Sequence, residues 1–329
     1  MPAITVQSTH ELGPDQLEQH RRELTGHCYR MLGSLFEAED AVQETMIRAW
    51  RAQDGFEGRS SVRTWLHRVA TNVCLDMLRG RKRRALPMGL VPSSTVSEVT
   101  DIGPTLPEDA WVMPIPDDRA LGDHADPAQL AAQRESIRLA FIAALQYLPA
   151  RQRAVLLLRE VLGWSAAEVA DLLGSSSASV NSALQRARAT LAAKDTAKDM
   201  GEPVNPEDEA ERDLLAEFVS AFEAYDVRRL TTLLHDDAVQ SMPPFPLWIR
   251  GAAEIGAWML GPGIECEGSR LIPIRANGTA AFGHYRSDRQ GGHYPFSLQI
   301  LTLQGGKIAQ MHTFLYPEMF PIFGLPEKL

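Results

Sequence analysis

Cysteine is scarce in this chain, with three residues in 329, Cys28, Cys74 and Cys266. They lie far apart and match neither a zinc nor a redox spacing, so a disulfide-stapled or metal-built fold is excluded and reduced, mostly buried thiols are expected. Long apolar runs are lacking too, since none approaches the roughly 18 residues that a bilayer crossing takes. The first 25 residues hold no basic stretch followed by an apolar one, so no secretory signal is read and a cytoplasmic protein is expected. Positive charge is also in deficit: the net charge is −9, which taken whole argues against a nucleic-acid partner.

The distribution of that charge reverses the argument. Residues 15–85 carry 13 Lys/Arg against 10 Asp/Glu, and residues 128–198 carry 9 against 5. Residues 86–127 carry one against eight, and residues 200–329 carry 10 against 17. Two basic blocks are thus separated by an acidic one and followed by another, as in a chain with a polyanion-binding part and a part that does something else. Hydrophobic content of 44% is ordinary for a globular protein, and the length allows two or three domains.

Residues 15–85 read as helices. Leu24, Cys28, Met31, Leu32, Leu35 and Phe36 form one apolar stripe, and Ala41, Val42, Thr45, Met46, Ala49 and Trp50 a second. A third runs from Val62 to Met77 and leads into Arg79-Gly80-Arg81-Lys82-Arg83-Arg84, five positive charges in six positions. Helix capping does not need so many cations, and they suit phosphates. Off the apolar stripe the same helix offers Arg63, Arg68 and Asn72. Asp40, Gln43 and Glu44 share the outer face of the second helix, which spacing alone reads as a solvated acidic surface.

The sharpest motif is Gly163–Arg188. Ser165-Ala166-Ala167-Glu168 is a capping box, Val169, Ala170, Leu172 and Leu173 make a buried face, and Gly174 supplies a left-handed stop. A second helix restarts at Ser175-Ser176-Ser177 with Val180, Leu184, Ala187 and Leu191 inward. Its outer face carries Ser177, Ser179, Asn181, Ser182, Gln185 and Arg186, small and hydrogen-bonding groups suited to a major groove. The pattern predicts a helix-turn-helix that reads duplex DNA.

Residues 86–127 hold seven prolines and no sustained period, the composition of a linker with little packed structure of its own. They also hold Trp111, Val112, Met113 and Ile115, so the linker is expected to lie along a surface. Lys194–Glu211 reads as a polar hinge. Beyond it an amphipathic helix (Leu214, Leu215, Phe218, Val219, Phe222) is followed by alternating strands at Arg270–Arg275, Thr279–Ser287, Tyr294–Leu303 and Lys307–Tyr316. The last two are joined across Gln304-Gly305-Gly306, a hairpin signal, and His235-Asp236-Asp237 reads as a helix end. The fold class is therefore multidomain: two all-α modules at 15–85 and 128–195, and an α+β domain at 210–329.

These residues carry a resemblance. Glu39–Trp50 resembles region 2.2 of the extracytoplasmic-function (ECF) sigma factors of the sigma-70 family, and Phe56–Asn72 their regions 2.3 and 2.4. Leu148–Arg153 with the helix-turn-helix is similar to region 4. The resemblance implies that Asp40, Gln43 and Glu44 dock on the β′ clamp of core RNA polymerase, whose β subunit is also a partner. It further implies that Arg63, Trp65, Arg68, Asn72, Arg79, Arg81, Lys82, Arg83 and Arg84 recognise and help melt the −10 element of promoter DNA. The helix-turn-helix would read the −35 element, with Asn181 and Ala183 standing where the family often has Lys or Arg. The acidic linker occupies the place of a connector through the polymerase cleft, as an RNA mimic or a plain tether.

Residues 210–329 resemble the SnoaL-like, nuclear-transport-factor-2-like cone, through Phe218–Asp226, Leu233–Val239, Met242-Pro243-Pro244, Arg250-Gly251 and the closing strands. Sigma factors with this extension form a subclass without a separate anti-sigma factor, in which the added domain contacts the linker and the first domain. A cone makes a pocket for a small-molecule ligand, here expected among His235, Trp248, Tyr285 and His312, with His284 and Asp236 beside them. No catalytic residue, cofactor or metal is assigned. The readings left open are a sigma factor modulated by its own C-terminal domain, a one-component helix-turn-helix regulator with a ligand-sensing domain, and an enzyme fused to a DNA-binding module.

Overall fold

The computed structural model describes residues 13–53, 56, 58, 60–96, 102–122, 126–193, 201, 208–288 and 290–329. The expected hinge at 194–211 lies largely outside the described residues.

Helix α1 (Pro14–Glu18) leads into α2 (Arg21–Leu32), α3 (Leu35–Ala52) and α4 (Val62–Met77), which pack on one another. Gly33, at φ 75°, ends α2, and the next residue caps α3: the Ser34 hydroxyl accepts the Glu37 amide. Beyond α4 the described residues include 3-10 turns at Pro87–Gly89 and Glu108–Ala110, and then α5 (Asp117–Ala120), α6 (Pro127–Ser136), α7 (Leu139–Leu145), α8 (Ala150–Leu156), α9 (Ala166–Leu173) and α10 (Ser177–Ala192). The second part holds α11 (Glu209–Glu223), α12 (Val227–Thr232) and α13 (Ala252–Leu260). Its strands are β1 (Leu234–Ser241), β2 (Trp248–Arg250), β3 (Arg270–Ala276), β4 (Thr279–Ser287), β5 (His293–Gln304) and β6 (Lys307–Phe314). They form one sheet in the order β2-β1-β6-β5-β4-β3, antiparallel except for β1 with β6.

Two strands depart from expectation. His235-Asp236-Asp237 is not at a helix end: α12 stops at Thr232, and β1 begins at Leu234 because Leu234 pairs with Ile308 of β6. The short β2 was not foreseen. Gly305 and Gly306, both at positive φ, close the β5–β6 turn as expected.

The linker is packed. Trp111, Val112, Met113 and Ile115 are wholly buried, joined to residue 85 by a bridge from Trp111 and to β3 by a bridge from Pro116 to Ala276. One apolar core accordingly runs through both helical modules, the linker and one face of the sheet, where Ala281, Tyr285, Leu298, Ile300 and Phe314 lie. The other face, with Phe282, Leu301, Leu303 and Met311, makes a separate core with α11, α12 and α13. An antiparallel sheet commonly leaves one face wet. Here the C-terminal segment, with Phe320 against the Tyr285 ring and Leu325 over Gly283, helps cover the second face, and seven successive residues of β4 are buried.

Candidate polymerase and nucleic-acid interfaces

On α3, positions 38, 41, 42, 45 and 49 turn inward. Asp40, Gln43, Glu44 and Ile47, at spacings of three and four, then share the outer face. Asp40 and Gln43 are exposed, and Glu44 is half-buried with Arg48 Nε 2.6 Å from its Oε1. Trp50 belongs to this outer face and not to the apolar stripe in which the sequence placed it: it is 49% exposed, beside Ile47 at 38%. At about 100° per residue Trp50 falls next to Gln43, outside the arc that α2 and α4 cover. An acidic stripe edged by two exposed apolar side chains fits a protein partner better than it fits water.

Helix α4 begins at the Ser61 cap and presents Arg63, Arg68 and Asn72 on its outer side, with Asn72 exposed. Trp65 is half-buried against the Phe56 ring, at 5.1 Å between centroids. Cations on α4 and on the segment after it are engaged by carboxylates of the same chain. Arg63 pairs with Glu23, Arg79 with Asp76 at 3.1 Å, and Arg81 with Glu37. Lys82 is exposed, while the Arg83 guanidinium lies 3.9 Å from the Tyr147 ring centre.

Arg84 corrects the expectation that the whole basic run faces phosphates. The helix ends at Met77 and Gly80 turns the chain at φ 73°, so Arg84 points inward and is 6% exposed. There it donates to the carbonyls of Glu108 and Trp111, both at 2.8 Å, and pairs with Glu37 at 2.9 Å. It fastens the linker to α3.

The helix-turn-helix forms from the local signals described above. Ser165 and Glu168 make the capping box, Gly174 ends α9 at φ 57°, and the Ser176 hydroxyl accepts the Ser179 amide to start α10. Val180, Leu184 and Ala187 are buried, and Ser177, Ser179, Asn181, Ser182, Gln185 and Arg186 are all exposed on one helix face.

The two helical modules touch. Arg68 of α4 pairs with Asp171 of α9 at 2.6 Å. The buried Arg153 of α8 donates to the Met31 carbonyl of α2, to Gln146 Oε1 at 2.7 Å and to the Leu148 carbonyl at 3.2 Å. Burial holds its guanidinium pKa down to about 10, still charged at neutral pH. Asn277, at the β3–β4 turn, completes the lock. Its Nδ2 donates to Tyr29 Oη of α2 and to the Ile137 carbonyl, both at 2.7 Å, and its Oδ1 accepts the Ile115 amide of the linker at 3.0 Å.

The cone contains a cavity of about 380 Å³ walled by Phe222, Trp258, His284, Phe296, Gln299 and Met311 among others. His235, Trp248, Tyr285 and His312, expected there, do not line it. His235 Nδ1 accepts the Asp237 amide at the start of β1, and Trp248 Nε1 donates to the Val91 carbonyl in the linker at 2.9 Å. Tyr285 donates to the Pro326 carbonyl, and His312 is bonded to Ser241 and Gln310. Tyr285 and His312 each miss the cavity by one residue, since strand neighbours point to opposite faces: His284, Met311 and Thr313 are the ones that line it.

Comparison with known proteins follows the same division. Sigma-70 region 2 matches residues 17–84, Sigma-70 region 4 residues 138–191, and the SnoaL-like domain residues 215–311. The ECF RNA polymerase sigma factor SigG of Mycobacterium tuberculosis is 47% identical over 322 residues, spanning 95% of this chain and 83% of that protein. The chain belongs to the ECF RNA polymerase sigma factors. SigJ of the same organism is 27% identical over 329 residues, and its crystal structure matches 94% of this chain and 98% of its own with a TM-score of 0.58. The sigma factor RpoE of Bartonella quintana, solved with the anti-sigma factor NepR, matches 54% of this chain and 92% of its own at 25% identity and a TM-score of 0.34.

As a sigma factor the chain binds core RNA polymerase and promoter DNA and directs promoter-specific initiation; a one-component regulator is not favoured, and the family is not an enzymatic one. The expected absence of a separate anti-sigma partner finds no support in the comparisons. Among the described residues no helix is long and apolar enough to cross a membrane. A residue joining the domains that sequence reading missed is Asn277. The signal was present, since Asn277-Gly278 between two β patterns is a strong hairpin pair, but its partners are remote in sequence.

Proposed function

We propose that this conformation is the closed, non-initiating form of the sigma factor, and that the C-terminal cone holds it closed. The observation that carries the reading is the 2.6 Å contact between Arg68 and Asp171. Promoter elements at −10 and −35 are centred about 25 base pairs apart, which is about 85 Å of duplex at 3.4 Å per pair. Helices α4 and α10 cannot meet both while α4 and α9 touch, so initiation requires the modules to separate.

The residues divide accordingly. Asp40, Gln43 and Glu44, with Ile47 and Trp50 at their edge, meet the β′ clamp and are accessible in the closed form. Arg63 and Arg68 of α4, and Arg79, Arg81, Lys82 and Arg83 beyond its end, follow the −10 strand once the carboxylate partners are released, and Trp65 and Asn72 contact its bases. Exposed ion pairs of this kind are worth about 0–1 kcal/mol each, so polymerase and phosphates can displace them. Ser177, Ser179, Asn181, Ser182, Gln185 and Arg186 enter the −35 groove. With no cation at 181 or 183, binding there leans on Arg186 and on neutral hydrogen bonds.

The test is run-off transcription from a cognate promoter with core polymerase, comparing the full chain with one ending at residue 205. Removing the cone deletes Asn277, and it should raise initiation at limiting sigma concentration. Unchanged activity would sink the regulatory reading while leaving the sigma assignment intact. Asp40→Ala with Glu44→Ala should abolish co-purification with core polymerase, and retention would refute the assignment of that face.

A further inference from the structure

The cavity in the cone is apolar over most of its wall but carries polar atoms that nothing in the protein satisfies. Among the described residues, His284 Nε2, Gln299 Oε1 and Gln240 Oε1 are buried without a hydrogen-bond partner, and all three side chains line the cavity. His284 is 1% exposed and held edge-on between the rings of Phe222 and Phe296, each with centroids at 5.1 Å. Buried polar atoms are almost always paired, so three orphans on one cavity wall point to an absent occupant.

Their chemistry says what it is. His284 Nδ1 lies 3.1 Å from Ser297 Oγ and 3.5 Å from Gln299 Nε2, which can only donate. With the Gln299 amide so turned, Nδ1 accepts and the imidazole carries its proton on Nε2, where it faces the cavity as a donor. Burial keeps the ring neutral, with its pKa lowered to about 3. Arg286, at the wall, is already paired with Glu265 at 2.5 Å. The occupant meets one donor and two acceptors, no uncompensated charge, and the aromatic faces of Phe222, Trp258 and Phe296.

The linker forms part of the same wall. Ile102 lines the cavity, and four residues on the Leu106 amide donates to the Pro244 carbonyl at 2.9 Å. An occupant reaching Ile102 gains that contact only while the linker is docked, so it favours the docked state by mass action.

We propose that the cone binds an uncharged hydroxylated aromatic molecule, its hydroxyl accepting from His284 Nε2 and donating to Gln299 Oε1, and that occupancy clamps the linker through Ile102. The consequence for initiation rests on the closed-state reading above; binding and clamping do not, and both are measured without polymerase.

The probes are 2-naphthol, naphthalene and 2-naphthoate, each in equilibrium dialysis against the full chain. 2-Naphthol should bind at least tenfold tighter than either of the others, and should slow amide exchange at Leu106 at least threefold. His284→Phe with Gln299→Leu should reduce 2-naphthol to the level of naphthalene. Ile102→Ala changes only a 40% exposed linker residue, and tests the clamp should the double variant fail to fold. It should weaken 2-naphthol several-fold and remove the effect on Leu106. No binding of 2-naphthol, equal affinity for naphthalene, or 2-naphthoate binding as tightly would overturn the ligand class. Binding with unchanged Leu106 exchange in the wild type would overturn the clamp.

Discussion

Replacing Asn277 by alanine should open the molecule without unfolding it. The side chain makes three buried hydrogen bonds that tie the cone to α2, to the linker and to the start of α7. Tyr29 keeps a partner when Asn277 is truncated, because its hydroxyl also donates to the Met113 carbonyl at 2.7 Å. The Ile137 carbonyl and the Ile115 amide lose theirs, and each orphaned buried group costs about 1–3 kcal/mol. Alanine must also adopt φ 52°, which costs about 1 kcal/mol more than a residue suited to the left-handed region. The turn strain is shared by both forms, so the low end for the two orphaned groups, about 2 kcal/mol, is what the closed arrangement loses, roughly thirtyfold in the ratio of open to closed molecules. The bonds joining β4 to β5 do not depend on the turn, so the cone itself stays folded.

Hydrogen exchange reads this directly. Amides of Val112 and Ile115 should exchange at least tenfold faster in Asn277→Ala, while those in the middle of β4 and β5 should not change. Asn277→Gly accepts the positive φ but loses the same hydrogen bonds, so its difference from alanine isolates the backbone contribution. In run-off assays at limiting concentration both variants should exceed the wild type. Exchange at Ile115 within threefold of wild type would refute the lock.

Three further outcomes are expected. Gly26→Ala on α2 would place a Cβ 2.4 Å from the Ala120 carbonyl. It should loosen α5 and raise amide exchange there while leaving α2 intact, since alanine gains about 1 kcal/mol of helix propensity over glycine; unchanged exchange at Leu121, whose amide bonds to the Asp117 carbonyl, would count against it. Arg186→Ala should weaken binding to a −35 duplex about tenfold and lower the salt dependence by about one phosphate contact, and an unaltered slope in a salt titration would remove Arg186 from the interface. Acid should destabilise the cone. Burial lowers His284 to about 3 and His312 to about 4. From an ordinary value near 6.5 downward the unfolded chain binds protons that the native one refuses, so stability is complete above pH 6.5 and falls below it. By pH 5 the loss is about 2 kcal/mol per histidine, read as a lower urea midpoint than at pH 7; equal midpoints would contradict it.

Glycine and serine positions carried the helix-turn-helix. Ser165, Glu168, Gly174 and Ser176 act on amides and carbonyls within a few residues of themselves, so pattern alone was enough to locate both helices and their outer face. The β5–β6 hairpin was legible for the same reason, its two glycines supplying the dihedrals that the turn demands. The acidic face of α3 could be outlined by spacing but given a partner only by resemblance, because a solvated face and a docking face have the same periodicity.

Other features belonged to the tertiary structure. Arg84 reads as the last of a run of cations until Gly80 turns it into the interior, where distant carbonyls receive it. Of the pocket candidates His284 does line the cavity, while Tyr285 and His312 were misassigned by one position because both faces of the sheet are buried, and alternation then no longer tells which face looks into the cone. Most of all, the linker's apolar residues showed that they would be covered, but not by what. Tyr29 and Asn277 meet across 248 positions of chain. A contact of that span is decided by how whole modules pack, and it leaves no period or spacing in the segments that make it.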